Sequence, residues 1–211
     1  MGKPEMAAGL RLNLLLAGAG LPALAETQVA GFEAYLALLQ RWNTRINLTA
    51  IRDEDTILSR HFVESIACAC ALPASIATLL DFGSGAGFPG IPIALCRPEI
   101  AVTLAESQGK KAAFLQEAVR ALGLKTRVHS GRAETLSGQF DCVTLRAVDR
   151  MEAAVRAAAR LVAPGGWLVP MTTGADLSAV QAAAGAGFTW QGPVSLPEGM
   201  DRILALARRQ D

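Results

Sequence analysis

The residues Asp81-Phe82-Gly83-Ser84-Gly85-Ala86-Gly87-Phe88-Pro89-Gly90 follow an apolar run and precede Ile91-Pro92, where a proline suits the first turn of a helix. Strand, glycine turn and helix start coincide there. Glycines allow the chain to reverse with positive φ, and they let a ligand approach backbone that a Cβ would block. Two ligands compete for such a loop. Gly85, Gly87 and Gly90 fit the Gly-x-Gly-x-x-Gly dinucleotide fingerprint, while Asp81, Gly83, Gly85 and Gly87 fit Asp-x-Gly-x-Gly-x-Gly, in which a carboxylate ends the strand. Beside a pyrophosphate that carboxylate adds repulsion; beside the ammonium and sulfonium of S-adenosylmethionine it is favourable. The competing reading of Asp81 is a helix-capping or solvated acid. Glu106 ends the next strand, where a carboxylate accepts the ribose hydroxyls of either ligand. Ala133 and Glu134 follow the third strand, at the rim where an adenine ring would lie, although Glu134 by itself also reads as a surface acid. Arg146 ends the fourth strand at the carboxyl edge, where an arginine is costly unless something anionic or aromatic meets it.

The elements that position these residues are legible in the hydrophobic rhythm. From Glu26 to Arg45, Val29, Phe32, Leu36, Leu39 and Trp42 recur at helical spacing, and Asp53 to Ala71 repeats the pattern with Ile57, Leu58, Phe62, Ile66 and Ala69. After Pro73 short β-favouring runs alternate with alanine-rich helical stretches, the mark of a parallel sheet. Strands are predicted over 78–82, 101–105, 126–130, 140–145 and 167–171. Helices are predicted over 91–96, 110–122, 151–162 and 177–184. Thr189 to Leu196 and Arg202 to Arg208, joined through Pro197, Glu198 and Gly199, predict a closing antiparallel hairpin. The expected organisation is a helical cap over 1–74 and an α/β core over 75–211.

Composition sets outer bounds. The chain has 211 residues, 51% hydrophobic, with a formal charge of +1. That suffices for one substantial core and lacks the basic excess of a histone-like binder, though a local basic patch can sit within a balanced total. Four cysteines without a Cys-x-x-Cys pair, beside two histidines, read as reduced thiols rather than a zinc site, and no metal is expected. Leu14 to Ala25 is apolar after Lys3 and Arg11, which resembles a secretory signal. Gly18, Gly20 and Pro22 interrupt it and Glu5 sits in the basic region, so a cytoplasmic protein is expected. The apolar stretch from Ile66 to Leu80 is interrupted by Pro73 and falls short of the roughly 20 residues that a membrane span needs. No membrane association is expected, and the chain is expected to act as a monomer.

The loop 81–92 with its Gly-Phe-Pro-Gly-Ile-Pro ending, Glu106-Ser107-Gln108-Gly109-Lys110-Lys111 and Arg146-Ala147 carry a resemblance, together with Trp42-Asn43, Ile46-Asn47-Leu48-Thr49 and Arg60-His61. These segments resemble the bacterial small-subunit ribosomal RNA guanine-N7 methyltransferases, also called the glucose-inhibited division protein B family, from about Trp42 to Gly174. The resemblance implies a class I S-adenosylmethionine-dependent methyltransferase, with a Rossmann-like, seven-stranded, mostly parallel sheet under an N-terminal helical cap. It implies that Gly83 and Phe88 line the cofactor, Glu106 holds its ribose, Ala133 and Glu134 its adenine, and that Arg146 borders cofactor and target base. Glu64 and Glu106 stand where the family more often shows aspartate, and Met171-Thr172-Thr173-Gly174 lacks the lysine associated with the end of the fifth strand.

Absent motifs narrow the methyl acceptor. Cytosine C5 methylation needs a cysteine nucleophile, and no Pro-Cys motif is present. Exocyclic amine methylation usually comes with an Asp/Asn-Pro-Pro-aromatic segment where this chain reads Leu145-Arg146-Ala147-Val148. Guanine N7 carries an in-plane lone pair and loses no proton, so its methylation asks for alignment rather than a base. Small-subunit ribosomal RNA, or the subunit itself, is the expected partner, with Arg41, Arg45, Arg60, His61, Lys110 and Lys111 as candidate contacts. His61 reads equally well as a buried, satisfied ring. The alternatives are a nicotinamide-dependent oxidoreductase, a non-catalytic RNA-binding protein, and a methyltransferase for a protein or small molecule.

Overall fold

Alternation along the central strands decides the layering. In β1 (Thr78–Phe82) Leu79 faces one apolar core while Leu80 and Phe82 face the other. In β4 (Phe140–Arg146) Cys142 faces the first core, and Val143 and Leu145 the second. A sheet apolar on both faces must be covered on both. The computed structural model describes residues 6–197 and 201–211, and there β1 pairs in parallel with β2 (Ala101–Glu106) and with β4. β3 (Arg127–Ser130) flanks β2 and β5 (Val162–Thr173) flanks β4, giving a parallel order β3-β2-β1-β4-β5. The strand order reverses between β1 and β4, and open α/β sheets form their ligand crevice outside the carboxyl ends at that point.

The first face is covered by the N-terminal helices α1 (Ala8–Gly18), α2 (Glu26–Asn43), α3 (Glu54–Ile57) and α4 (Glu64–Ala71), with α5 (Gly90–Cys96) and α6 (Gly109–Ala121). Leu12, Leu16, Phe32, Leu39, Ile57, Phe62 and Ile66 share one cluster with Leu79, Val102 and Leu104. The second face is covered by α7 (Met151–Arg160) and α8 (Leu177–Ala184). Of the apolar run Leu14 to Ala25 that resembles a signal, the part up to Gly18 belongs to α1, with Leu16 buried in the core and Leu14 exposed; Lys3 and Glu5 lie outside the described residues. Asp53 caps α3 by accepting from the Thr56 amide at 2.8 Å. Between α3 and α4 the helix widens into a π-helical stretch, Leu58–Val63, which carries Arg60 and His61 and runs directly into Glu64 at the start of α4.

The sheet closes with antiparallel strands, as the hairpin pattern predicts, but among the described residues it has nine strands rather than seven. β8 (Arg202–Leu204) and β9 (Ala207–Arg209) lie against β5 in one unbroken register, from Thr173 opposite Arg202 to Trp167 opposite Arg208. The interruption falls opposite Pro170, which accepts from the Ala205 amide at 3.1 Å but has no N–H to return. β6 (Phe188–Trp190) and β7 (Val194–Ser195) are separated by Gln191-Gly192-Pro193, where their pairing against β9 and β8 slips by one residue. Of the predicted hairpin turn, Glu198 and Gly199 lie outside the described residues. β5 also runs longer than its predicted core over 167–171, because Ala163–Gly166 bulge out between Val162 and Trp167 and leave the pairing with β4 intact on either side.

Gly90 shows how closely α5 seats on the sheet. A Cβ there would lie 2.3 Å from Leu104 Cδ2 and 2.7 Å from Asp81 Oδ2, whereas one at Gly109 meets nothing within 4 Å. Gly90→Ala is therefore expected to lower stability by about 1–3 kcal/mol through overpacking. Gly109→Ala should be near neutral or slightly stabilising, and urea midpoints of the two variants check the contrast.

Candidate functional site

The glycine loop is held from below. Asp81, fully buried, accepts from the Gly90 amide through Oδ2 at 3.2 Å and from the Thr144 hydroxyl through Oδ1 at 3.0 Å. Ser84 donates its amide to Ala105 O at 2.9 Å and its hydroxyl to Asp81 O, also at 2.9 Å. Tyr35, at the core of α2, donates to Ala86 O at 2.5 Å. Gly83, Gly85 and Gly87 have φ of +71°, +56° and +95°, the left-handed region that other residues enter only with strain. A Cβ at Gly85 would meet only Gly83 O at 3.9 Å, so the backbone there is open to a ligand.

The rim is held by Glu106, 6% exposed at the end of β2. Its Oε2 accepts from the Gly85 amide at 2.9 Å and its Oε1 from the Gln108 amide at 2.7 Å. A carboxylate has about four acceptor positions, so each oxygen keeps one free for a further donor. Loop and rim enclose a cleft of about 600 Å³, a size suited to a nucleoside-bearing ligand. Gly83, Gly85, Phe88, Glu106, Ala133, Glu134 and Arg146 all line it.

Asp81 and Gly87 do not. Asp81 is the helix-capping acid of the competing reading, aimed at α5 instead of the cleft, and Gly87 turns against Ile91 and the Tyr35 hydroxyl. Burial pushes the Asp81 carboxyl up to about 6, against hydrogen bonds that pull it down.

On the opposite wall, Asn43 accepts from the Leu48 and Thr49 amides at 2.9 and 3.1 Å and donates to Thr49 O at 3.1 Å. That knot presents Leu48 and Thr49 to the cleft, two lining residues that sequence reasoning missed; the signal was the Asn-Leu-Thr run itself. Thr49 Oγ1 lies 2.8 Å from His61 Nε2, and the imidazole stacks on Phe88 with centroids 4.6 Å apart. Burial, then the nearby Arg146, Arg202 and Arg60, push the His61 pKa down to about 3. His61 thus forms part of the cleft wall as a half-buried imidazole whose charged form is disfavoured.

Arg146 is nearly enclosed. Its Nη2 donates to Arg60 O at 2.6 Å and to Glu64 Oε2 at 2.9 Å. Glu64, 1% exposed, also meets Arg60 at 3.6 Å and Arg202 in close contact. Burial, then Arg60, lowers the Arg146 guanidinium to about 10. The sequence signal for Glu64 was a charge set among Phe62, Val63 and Ile66 on an apolar helix face. Elsewhere, Arg41 pairs with Glu117, Arg45 and Lys110 are exposed, and Lys111 reaches the cleft lining. Trp42 packs edge-on against Phe114, as a core residue. Among the described residues no cluster of His, Cys, Asp and Glu could hold a metal ion, and no helix is long and apolar enough to cross a membrane.

A parallel sheet of this order, closed by antiparallel strands and carrying its cleft beyond β1 and β4, defines the class I methyltransferase fold. A ribosomal protein L11 methylase from Lactobacillus delbrueckii subsp. bulgaricus superposes with a TM-score of 0.61 at 12% identity, over 75% of this chain and 80% of that one. Within that class, residues 28–186 match the family described as rRNA small subunit methyltransferase G, and the chain belongs to that family. It is 48% identical to ribosomal RNA small subunit methyltransferase G of Roseiflexus sp. (strain RS-1) over 132 residues, 59% of this chain and 56% of the relative. The same named protein of Stenotrophomonas maltophilia (strain K279a) is 48% identical over 140 residues, 65% of each chain. The matched segments thus span less than two thirds of these relatives' lengths.

The raised Asp81 pKa has a stability consequence. The folded state keeps this proton to about pH 6 while an ordinary aspartate releases it near 3.8, so stability falls as pH rises through that window and levels off above it. Asp81→Asn, whose amide can donate to Thr144 Oγ1 and accept from Gly90, should abolish this fall. Urea midpoints of both proteins between pH 4 and 7 check it; equal pH dependence would mean that Asp81 does not titrate there.

Proposed function

We propose that this chain transfers a methyl group from S-adenosylmethionine to N7 of a guanine in small-subunit ribosomal RNA, acting as a monomer in the cytoplasm. The observation that carries the reading is the family match over residues 28–186, and the Glu106 carboxylate, fixed by two backbone amides on the rim of a glycine-lined cleft, retains acceptor capacity for the vicinal diol of such a cofactor. The family match supports the substrate class.

The cradle fits the cofactor. Gly85 leaves open the space that a side chain would fill, Glu106 would accept the ribose hydroxyls, and the segment from Ala133 to Glu134 would flank the adenine. Bound there, S-adenosylmethionine supplies an electrophilic methyl on its sulfonium. The chain's own contribution is placement. Arg146, held by Glu64 and Arg60 O, would border the base, and Phe88 and His61 present stacked apolar faces to the cleft. Burial and three nearby arginines make His61 a weak base, and the remaining acceptor capacity of Glu106 is reserved for the ribose, so neither is assigned as a general base. Guanine N7 needs none, because its lone pair attacks without losing a proton. Arg45, Arg60, Lys110 and Lys111 supply positive charge for RNA phosphates, with Arg41 already partnered by Glu117.

With tritiated cofactor, label is expected in small-subunit ribosomal RNA; label confined to protein or small molecules would contradict the substrate. For the cofactor, Glu106→Ala should weaken S-adenosylhomocysteine binding by about 1.5–3 kcal/mol, the range for hydrogen bonds to a charged group. Calorimetry checks this, and an unchanged titration, or tighter binding of NAD, would remove the assignment.

A further inference from the structure

Three guanidiniums converge on one carboxylate beside the cleft. Glu64 meets Arg60 and Arg202 through Oε1 and Arg146 through Oε2. Arg60 and Glu64 come from the π-helical stretch and its exit, Arg146 from the end of β4, and Arg202 from the start of β8, opposite Thr173 at the end of β5. All four therefore gather at the carboxyl edge of the sheet, on the side of the cleft that Arg146 and His61 line.

The charges do not balance. Three arginines against one glutamate leave two positive charges, and counting Asp81, which acts on Arg146 from below the loop, still leaves one. His61 adds no charge of its own. The Arg146 guanidinium is enclosed among like charges, whereas a cluster built only to tie helix to sheet would approach neutrality around it. Donors are also left over: Arg146 Nη1 and Arg202 Nε are buried with no hydrogen-bond partner, and the Arg146 side chain is only 10% exposed. Arg60 and Arg202, at 39% and 24% exposed, leave the cluster open to an incoming anion.

We infer that Arg60, Arg146 and Arg202, oriented by Glu64, form a phosphate-binding subsite that receives one backbone phosphate of the RNA strand entering the cleft. Guanidiniums present paired N–H donors that match phosphate oxygens, and a phosphodiester brings the missing negative charge without a proton to transfer. The source of the phosphate rests on the RNA reading; the anion site itself rests on the cluster. Glu64 becomes a positioning residue and Arg202 a binding residue, the latter outside every motif that the sequence analysis singles out.

Inorganic phosphate is the probe, titrated against chloride at equal ionic strength into protein saturated with S-adenosylhomocysteine. Thermal midpoints should rise saturably with phosphate. Arg202→Gln and Arg60→Gln should each weaken the apparent phosphate affinity at least fivefold, while Lys125→Gln, at an exposed lysine, leaves it unchanged. No saturable rise, or the same rise in all variants, would make the cluster purely structural and overturn the inference. A rise present without S-adenosylhomocysteine and lost at its saturation would assign the anion position to the cofactor's carboxylate, and overturns it too. Should Arg202→Gln not fold, the more exposed Arg60→Gln decides. With a small-subunit RNA fragment, the salt slope of binding should fall by about one phosphate contact in Arg202→Gln; an unchanged slope removes RNA as the source. Failure of the cofactor reading shows separately, as absent heat in the S-adenosylhomocysteine titration, while phosphate binding to the free protein still tests the cluster.

Discussion

Asp81 places a carboxylate beneath the glycine loop with each oxygen committed to a different element: Oδ2 to the Gly90 amide that starts α5, and Oδ1 to Thr144 in β4. The bond to Gly90 fixes where the helix leaves the loop, and the bond to Thr144 ties that point to the neighbouring strand across the switch in strand order. The three left-handed glycines between β1 and α5 then have little choice of path. Gly85 ends with its amide facing Glu106, so the acid on the rim completes what the acid below begins. A site preorganised in this way loses less conformational entropy when a ligand arrives.

The same geometry separates two kinds of electrostatics in one cleft. At the end of β2 stands an acceptor-rich carboxylate, held by amides alone. Toward the β4 and β5 ends a cluster of guanidiniums shares one buried glutamate. A ligand with a diol at one end and an anionic strand meeting the other suits this polarity. The π-helical stretch supplies one side of the second half, with Arg60 and Glu64 four residues apart on one wall while Phe62 stays in the core against Tyr35.

Much of this was legible in the residues. The runs that became β1 and α8 were bounded as the structure has them, the glycine turn sat between strand and helix as its proline and glycines required, and Glu106 and Arg146 stood at strand ends facing the cleft. The role of Asp81 was not settled by spacing, since an acid at the end of a strand serves a ligand or a helix start equally well in one dimension. Its burial decides for the helix, and the argument that it repels a pyrophosphate loses force with it; the choice of cofactor rests on the family instead. The sheet's last strands broke where single residues intervene, Pro170 by withholding a donor and Gln191–Pro193 by adding a residue, neither of which alters hydrophobic alternation. The knot at Asn43 and the cluster on Glu64 join segments far apart in sequence, and periodicity carries no record of such pairings.

The central claim is that the cleft aligns a guanine so that its N7 lone pair, which has no proton to lose, meets the methyl group. N7 methylation leaves the purine ring positively charged and open to reduction. The direct measurement is to methylate small-subunit ribosomal RNA with the purified protein, treat it with borohydride and then aniline, and map strand breaks. Cleavage at one guanine, dependent on both protein and S-adenosylmethionine, is the predicted result. Methylated RNA that resists aniline would place the methyl on a carbon or an exocyclic amine and contradict the account.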